Sequence, residues 1–339
     1  LIGNLSNSGG TQRMLTLLCN ELIDDFEITI LVHKDGESFF PLDKKIQIEV
    51  LKGNLLQKNI QIYKSLKKNK SNYYVNLDSN SVLLNGFFLP SFTKLIVWEH
   101  YSLENNFKKW LYTISRYYLS FRAYRLIVLS EVEKKLWLKK YNVKADKLRV
   151  IYNPVSFNTN QTNNVNKRQY KTILAIGNQI QFKGFDILLE AWSQIQSDWQ
   201  LKIIGLPDLE KEKLSDMIKA KKISRINIFG RTSDIISEYE KTSLFILSSR
   251  MEATPLVLIE SQVFGIPVIS FNHISSVSEV AKDSVLYADF SDPVNSLKEK
   301  IESMINSEEL YSDYRQRSIN HAKKFNREMF VDAWNNLLK

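Results

Sequence analysis

The chain has 339 residues, 44% apolar and 24% charged, with 18 Phe, 15 Tyr and 6 Trp. That length predicts two domains, and that composition excludes intrinsic disorder. Lys and Arg outnumber Asp and Glu by 46 to 37, and the lone cysteine, Cys19, excludes a disulfide framework and any cysteine-based zinc or iron–sulfur site. In chain order, strand-like runs fall at Glu27–Val32, Ile46–Leu51, Tyr73–Asn76, Leu95–Trp98, Leu126–Leu129 and Leu148–Ile151. Between them, helical spacing falls at Thr11–Leu22, Leu55–Lys67, Phe107–Tyr124 and Glu131–Lys140. The second half repeats the alternation. Its strands are predicted at Thr172–Ile176, Leu201–Ile204, Asn227–Phe229, Leu244–Leu247, Pro267–Ser270 and Val285–Tyr287. Its helices are predicted at Phe185–Ile195, Leu209–Lys221, Asp234–Lys241, Pro255–Phe264 and Val294–Ile305.

This alternation is the pattern of α/β layering, and runs such as LKII and LFIL are apolar on both faces, as strands covered by helices on both sides should be. Ser156–Tyr170 is polar and Asn-rich, so it reads as a connector between two doubly wound domains. Residues 1–154 form the expected first domain and residues 155–324 the second. A final helix, residues 325–339, carries Phe330, Trp334 and Leu337 at helical spacing and is expected to dock back on the first domain. Ligands of such sheets collect at the C-terminal ends of the strands, which makes a cleft between two facing domains the expected site. No apolar run approaches the 18 or so residues of a membrane span. Leu1-Ile2 reads as the tail of a strand already under way.

The net charge of +9 is one-sided. Residues 1–154 hold 23 Lys and Arg against 14 Asp and Glu, whereas residues 155–339 hold 23 against 23. A basic half attracts polyanions: nucleic acid, anionic lipid headgroups or a phosphorylated substrate. The alternative is a solubilising surface. The densest stretch is FKKWLYTISRYYLSFRAYR, from Phe107 to Arg125. As a helix it places Trp110, Ile114, Tyr117 and Phe121 on one face, with Lys109, Ser115-Arg116 and Arg122 towards the other. Rings and cations so interleaved suit a helix lying at a membrane surface, with Lys108, Lys109, Arg116, Arg122 and Arg125 as anion contacts. The plainer reading packs the aromatic face on the domain core.

The segment Ser248–Ser270, SSRMEATPLVLIESQVFGIPVIS, carries the most chemistry. A strand ends at a loop holding Glu252; Thr254 is then expected to cap a helix with Pro255 at its first position. The unpaired amides of Leu256 and Val257 would make an anion site at that helix start, suited to a diphosphate. Glu260 lies roughly 7–8 Å further along the axis, about the distance from a diphosphate to a nucleotide ribose.

This stretch, with Glu252 and Glu260 eight positions apart and Gly265-Ile266-Pro267 following, closely resembles the retaining glycosyltransferases of the GT-B fold, specifically the large group-1 family, family 4. Further matches run in the same order: the glycine turn at Gly9-Gly10, Glu99-His100 after strand LIVW, Leu129-Ser130-Glu131, Ile151-Tyr152-Asn153-Pro154, and Gly177 through Lys183-Gly184. The resemblance implies that Glu260 holds the ribose of a nucleotide sugar. It implies that Lys183, Asn178 and the amides from Thr254 to Val257 hold the diphosphate, with Gly9, Gly10 and Gly177 allowing close approach. It implies that Glu252 binds the donor sugar and that His100 acts near its anomeric centre. Two departures stand out. Asn178 occupies the position where the family usually has Arg, which leaves Lys183 as the main cation with Arg231 or Arg250 to assist, and Ala253 replaces the usual Gly.

No Asp-x-Asp triplet occurs, and His33, His100, His273 and His321 lack ligand-like spacing, so a metal-independent transferase with no cofactor is expected. The implied donor is a UDP-sugar and the implied acceptor a polyprenyl-diphosphate-linked saccharide of bacterial surface polysaccharide synthesis. Peripheral contact with the inner face of the cytoplasmic membrane is expected, and no nucleic acid. The competing readings are a nucleotide-sugar epimerase of the same fold and a basic nucleic-acid-binding protein.

Overall fold

A computed structural model describes residues 5, 9–79, 88–103, 110–155, 167–252 and 255–339. By its contacts the chain falls into two compact units, Leu1–Ser156 with Arg327–Lys339, and Phe157–Asn326. In the first, α1 (Gly10–Leu22) buries Met14, Leu15, Leu18 and Leu22. Strands β1 (Thr29–Val32) and β2 (Gln47–Val50) pair in parallel, Ile30 opposite Ile48. Helix α2 (Leu55–Lys68) starts on a capping box: Gln57 N donates to Asn54 Oδ1 at 3.0 Å and Asn54 N to Gln57 Oε1 at 2.8 Å.

A second parallel sheet runs in the order β3 (Tyr73–Asn76), β4 (Lys94–Trp98), β5 (Arg125–Val128), β6 (Leu148–Val150). Helix α3 (Trp110–Arg122) connects β4 to β5, and α4 (Glu131–Tyr141) connects β5 to β6. Leu95 to Trp98 are all buried, as a central parallel strand requires. Strand and helix ends differ from the sequence expectation by at most two residues, except at the start of α3, which is predicted outside the described residues.

The orientation of α3 departs from the plainer, core-packed expectation in its rings and from the membrane-surface expectation at Arg116. Its aromatic face is not packed on the core: Trp110 is 68% exposed and Phe121 82%, with Ile114 and Tyr117 also exposed. The buried face holds Ser115, Arg116, Leu119 and Ser120. Arg116, expected as an exposed cation, is 4% exposed. Its Nε donates to Ser79 Oγ at 3.2 Å and its Nη1 to the Tyr141 hydroxyl at 3.5 Å. Hydrogen-bonding partners on the neighbouring elements make the polar side of this helix the inward one.

The second unit is one six-stranded parallel sheet. In chain order it has β7 (Thr172–Ile176), α5 (Ile180–Lys183), α6 (Phe185–Ser193), β8 (Gln200–Ile204), α7 (Asp208–Ala220), β9 (Ile226–Ile228), α8 (Ile235–Glu240), β10 (Leu244–Leu247), α9 (Leu256–Val263), β11 (Val268–Phe271), α10 (Ser275–Ala281), β12 (Leu286–Ala288), α11 (Pro293–Asn306) and α12 (Glu308–Ala322). The spatial order is β12-β11-β10-β7-β8-β9, so the winding reverses between β7 and β10. Helices α5, α10 and α12 were not anticipated. In α12 the buried face is Tyr311, Ser318, His321 and Ala322, too polar to register as an apolar stripe.

The connector also ends earlier than expected. Residues 156–166 lie outside the described ones, but Lys167 is buried and its Nζ donates to Tyr239 O at 3.1 Å and Glu240 O at 3.0 Å. It thereby satisfies carbonyls at the C-terminus of α8, where a cation is favoured. Helix α13 (Arg327–Leu338) lies with the first unit. Phe330 and Trp334 sit against Trp98, with ring centroids 5.9 Å and 5.0 Å away, and Arg327 pairs with Glu21.

Candidate active site

In the second unit the reversal between β7 and β10 sets two loops side by side at the C-terminal ends of these strands. Beyond β7 the chain runs through Gly177 to α5, and beyond β10 through Ser248 to Glu252. Gly184, between α5 and α6, has φ +63, and a Cβ there would come within 2.0 Å of Ser248 O. Only glycine satisfies both the left-handed backbone and that contact. Ser248 Oγ donates to Lys183 O at 2.7 Å, tying the loops together. The stem of Lys183 lies over Gly177, where a Cβ would come within 2.4 Å of its Cγ.

The result is a direct pairing. Lys183 Nζ reaches Glu252 Oε1 at 2.6 Å, and Ser249 Oγ donates to the same oxygen at 2.6 Å. Ser276 Oγ, at the start of α10, holds the Glu252 carbonyl at 2.8 Å. Helix α9 then begins at Leu256 with Pro255 in the cap position, ψ 92, which is extended. Pro255 is therefore outside the helix, not its first residue, because its ψ is not helical. Thr254, the expected cap, lies outside the described residues. Leu256 and Val257 have no acceptor within their own helix, as first-turn amides never do. Glu260 is 1% exposed, and the Tyr239 hydroxyl donates to its Oε2 at 2.9 Å. Tyr239 was missed by the sequence reading, because an interior tyrosine on a short helix carries no motif.

The remaining expected donor residues scatter. Asn178 is exposed. Arg231 is exposed beyond β9, an edge strand two places from β7, and makes no hydrogen bond or ion pair among the described residues. Arg250 is held by Asp186 through two bonds of 2.7 Å and also donates to Gln181 O, so it is not available as the assisting cation that sequence suggested. Its guanidinium is engaged in a bidentate pair. In the first unit Gly9 is the N-cap of α1 with φ −77, which any residue adopts. A Cβ there would meet only the flexible end of Gln12 at 2.5 Å, so no close approach is built into Gly9, while Gly10 is the first helical residue.

His100 follows β4, its ring centroid 4.5 Å from that of Trp98. Burial holds its imidazole down at about 3, so it is neutral throughout the physiological range. Its neighbour Glu99 is buried, and burial, with the charge of Asp78, pushes its carboxyl up to about 7. Ser79 N at 3.2 Å and Tyr101 N at 3.0 Å donate to Glu99 and act in the other direction, as does the charge of Arg116. Arg116 thus belongs to the support of the Glu99-His100 turn. Of the other expected surface cations, Arg122 is exposed, Arg125 is partly buried at the start of β5, and Lys108 and Lys109 lie outside the described residues. Among the described residues no three His, Cys, Asp or Glu side chains cluster as a metal site would require, and no helix is long and apolar enough to cross a membrane.

A two-unit α/β chain with a switch-point loop pair, a buried carboxylate on the following helix and a neutral histidine in the other unit fits the GT-B glycosyltransferases. Comparisons with known proteins bear directly on this. The family described as "Glycosyl transferases group 1" matches residues 156–324, and "Glycosyltransferase Family 4" matches residues 8–158. The amylovoran biosynthesis glycosyltransferase AmsD of Erwinia amylovora is 26% identical, with 100% of this chain and 98% of that protein covered. The GalNAc-alpha-(1->4)-GalNAc-alpha-(1->3)-diNAcBac-PP-undecaprenol alpha-1,4-N-acetyl-D-galactosaminyltransferase of Campylobacter jejuni is also 26% identical, over 94% of this chain and 90% of that protein. Anabaena HepE, solved in complex with UDP-glucose, superposes with a TM-score of 0.84 at 15% identity, covering 99% of this chain and 98% of that one. The fold is GT-B. The chain belongs to the group-1, family-4 glycosyltransferases, and it is a transferase enzyme.

Proposed function

We propose that the protein transfers a hexosyl residue from a UDP-sugar, with retention of configuration, to a polyprenyl-diphosphate-linked saccharide during bacterial surface polysaccharide synthesis. The observation that carries the reading is the Lys183–Glu252 pair at the switch point, with Glu260 seated on the helix that follows. A diphosphate arriving at the start of α9 would draw Lys183 away from Glu252. That exchange releases a carboxylate oxygen for the hydroxyls of the donor sugar and leaves the ammonium on the departing phosphate. Asn178 and the amides of Leu256 and Val257 add uncharged donors to the same anion. Glu260 accepts the ribose hydroxyls, with Tyr239 fixing one of its oxygens. His100 takes part as a neutral imidazole, able to hydrogen-bond a sugar hydroxyl without opposing the positive charge that develops at the anomeric carbon. The UDP-glucose bound by HepE and the undecaprenol-linked substrate named for the Campylobacter relative support the choice of donor and acceptor.

Peripheral membrane association is part of the proposal, supported by the exposed rings of α3 and the charge excess of the first half. Lys183 and the amides supply the electrostatic stabilisation that a divalent cation gives other transferases, so a chelator is expected to leave turnover unchanged. The test is turnover of UDP-sugars with a lipid-linked acceptor by Lys183→Ala, Glu260→Ala and His100→Ala, with the anomeric configuration of the product read by NMR. Near-normal rates in all three variants overturn the site, an inverted product overturns retention, and a donor altered without acceptor identifies an epimerase.

A further inference from the structure

The first unit carries a second cluster of charge at the other end of its sheet. Strands β3 to β6 are parallel, so the residues that open them share one edge, opposite the end from which His100 emerges. Tyr73, Lys94 and Arg125 are the first residues of β3, β4 and β5, and Arg149 is the second of β6. Together with Tyr124, Lys339 and the last turn of α13 they line a cavity of about 300 Å³, and among the described residues no Asp or Glu lines it.

None of the three cations Lys94, Arg125 and Arg149 pairs with a carboxylate among the described residues. Lys94 Nζ lies 4.6 Å from the Tyr124 ring centroid and 5.6 Å from that of Tyr73, and makes no hydrogen bond or ion pair among the described residues. Arg125 stacks on the same Tyr124 ring at 4.2 Å and donates to Tyr124 O at 3.0 Å. Arg149 donates to the carbonyls of Asp146 and Leu148 at 2.8 and 2.9 Å, not to a carboxylate. Stacking on ring faces offsets part of the repulsion among like charges and holds them in place, while leaving ammonium and guanidinium donors for an oxyanion. The Lys147 ammonium is held below its usual range by burial and then by the charge of Lys144, with Asp146 acting in the other direction and Arg125 adding to the lowering.

We propose that this cavity is a binding site for a phosphoryl group, separate from the donor site of the second unit. Its chemistry fits a phosphomonoester or diphosphate, either free in solution or as the headgroup of an anionic lipid. The second source has a structural argument, since α3, with its exposed rings, ends at Arg122, three residues before Arg125, and Lys147 Nζ caps the Phe121 carbonyl at 2.7 Å. This inference is independent of the glycosyltransfer reading.

The test compares the intact protein with the double variant Lys94→Gln, Arg149→Gln. The charge-matched control is Lys64→Gln, Lys68→Gln on α2, and the conservative variant is Lys94→Arg, Arg149→Lys. All four replaced side chains are exposed, so each variant is expected to fold. In one arm the melting midpoint is followed against inorganic phosphate and pyrophosphate; in the other, co-sedimentation is measured with phosphatidylcholine vesicles with and without phosphatidylglycerol. A free-phosphoryl site gives a midpoint rise that the double variant loses and the control keeps. A headgroup site gives binding to the anionic vesicles alone, reduced about tenfold or more in the double variant and restored in the conservative one. Any contribution of the donor site is common to all variants. Equal responses in the double variant and the control, in both arms, overturn the proposal.

Discussion

Helices α3 and α9 each bury one charged side chain against a tyrosine hydroxyl, yet they present opposite faces to their units. In α9 six consecutive residues, Leu258 to Val263, are buried, Glu260 among them, and Tyr239 donates to its carboxylate. In α3 the Arg116 guanidinium turns inward and donates to Tyr141, while Trp110, Ile114, Tyr117 and Phe121 face outward. A tyrosine hydroxyl can serve both signs because it both donates and accepts. Periodicity locates a helix's apolar stripe, but where the interior lies depends on what the neighbouring elements offer. A buried charge costs stability unless it is well partnered, so each of these positions is better understood through function or support of function than through stability.

Four measurements test this difference between the two helices. The largest effect is expected at α9, where Glu260→Ala lowers turnover by a factor of about 100 or more. Its melting midpoint is expected to fall, since the truncation leaves a cavity and removes the acceptor of the Tyr239 hydroxyl; turnover within a factor of two would make Glu260 merely structural. Next, Gly184→Ala should lower the unfolding free energy by about 2 kcal/mol or more, combining left-handed strain with the Ser248 contact. Chemical denaturation reads this directly, and an unchanged midpoint would mean that the loop carrying Lys183 adapts freely.

On α3, the pair Trp110→Ser, Phe121→Ser should leave stability within about 0.5 kcal/mol, because both rings already face outward. Binding to anionic vesicles should fall about tenfold. Clear destabilisation without loss of vesicle binding would return these rings to the core. The fourth measurement is a pair of opposed pH slopes. Glu99, raised to about 7 from an ordinary 4.5, contributes stability that is complete below pH 4.5 and lost as pH rises through 7. His100, lowered to about 3 from 6.5, contributes stability present above pH 6.5 and lost as pH falls through 3. Glu99→Gln should flatten the first slope and His100→Gln the second, as read from melting midpoints across pH 3 to 8.

The buried parallel strands were legible because runs such as LFIL are apolar on both faces, and β7 and β10 lie where those runs do. The loops bearing Lys183 and Glu252 were legible because glycine, a strand end and a helix start leave a local signature. Their mutual ion pair was not, since 69 residues separate the partners and only the sheet order brings them together. Arg250 illustrates the same limit. Sequence offered it as a spare cation, and Asp186, 64 residues away, takes it up. Helix α12 escaped notice because Ser318 and His321 supply part of its buried face.

The amino-acid order therefore determined the local matters: which segments extend, which coil, where glycine must stand, and that the positive excess lies in the first half. Those follow from steric and hydrophobic preferences acting over a few residues. Tertiary packing alone decided which side of α3 faces inward, which carboxylate each cation meets, and that three strand starts and a tyrosine pair surround one basic cavity. Those depend on residues brought close from distant positions, and burial and pairing have no value until the partners are in place.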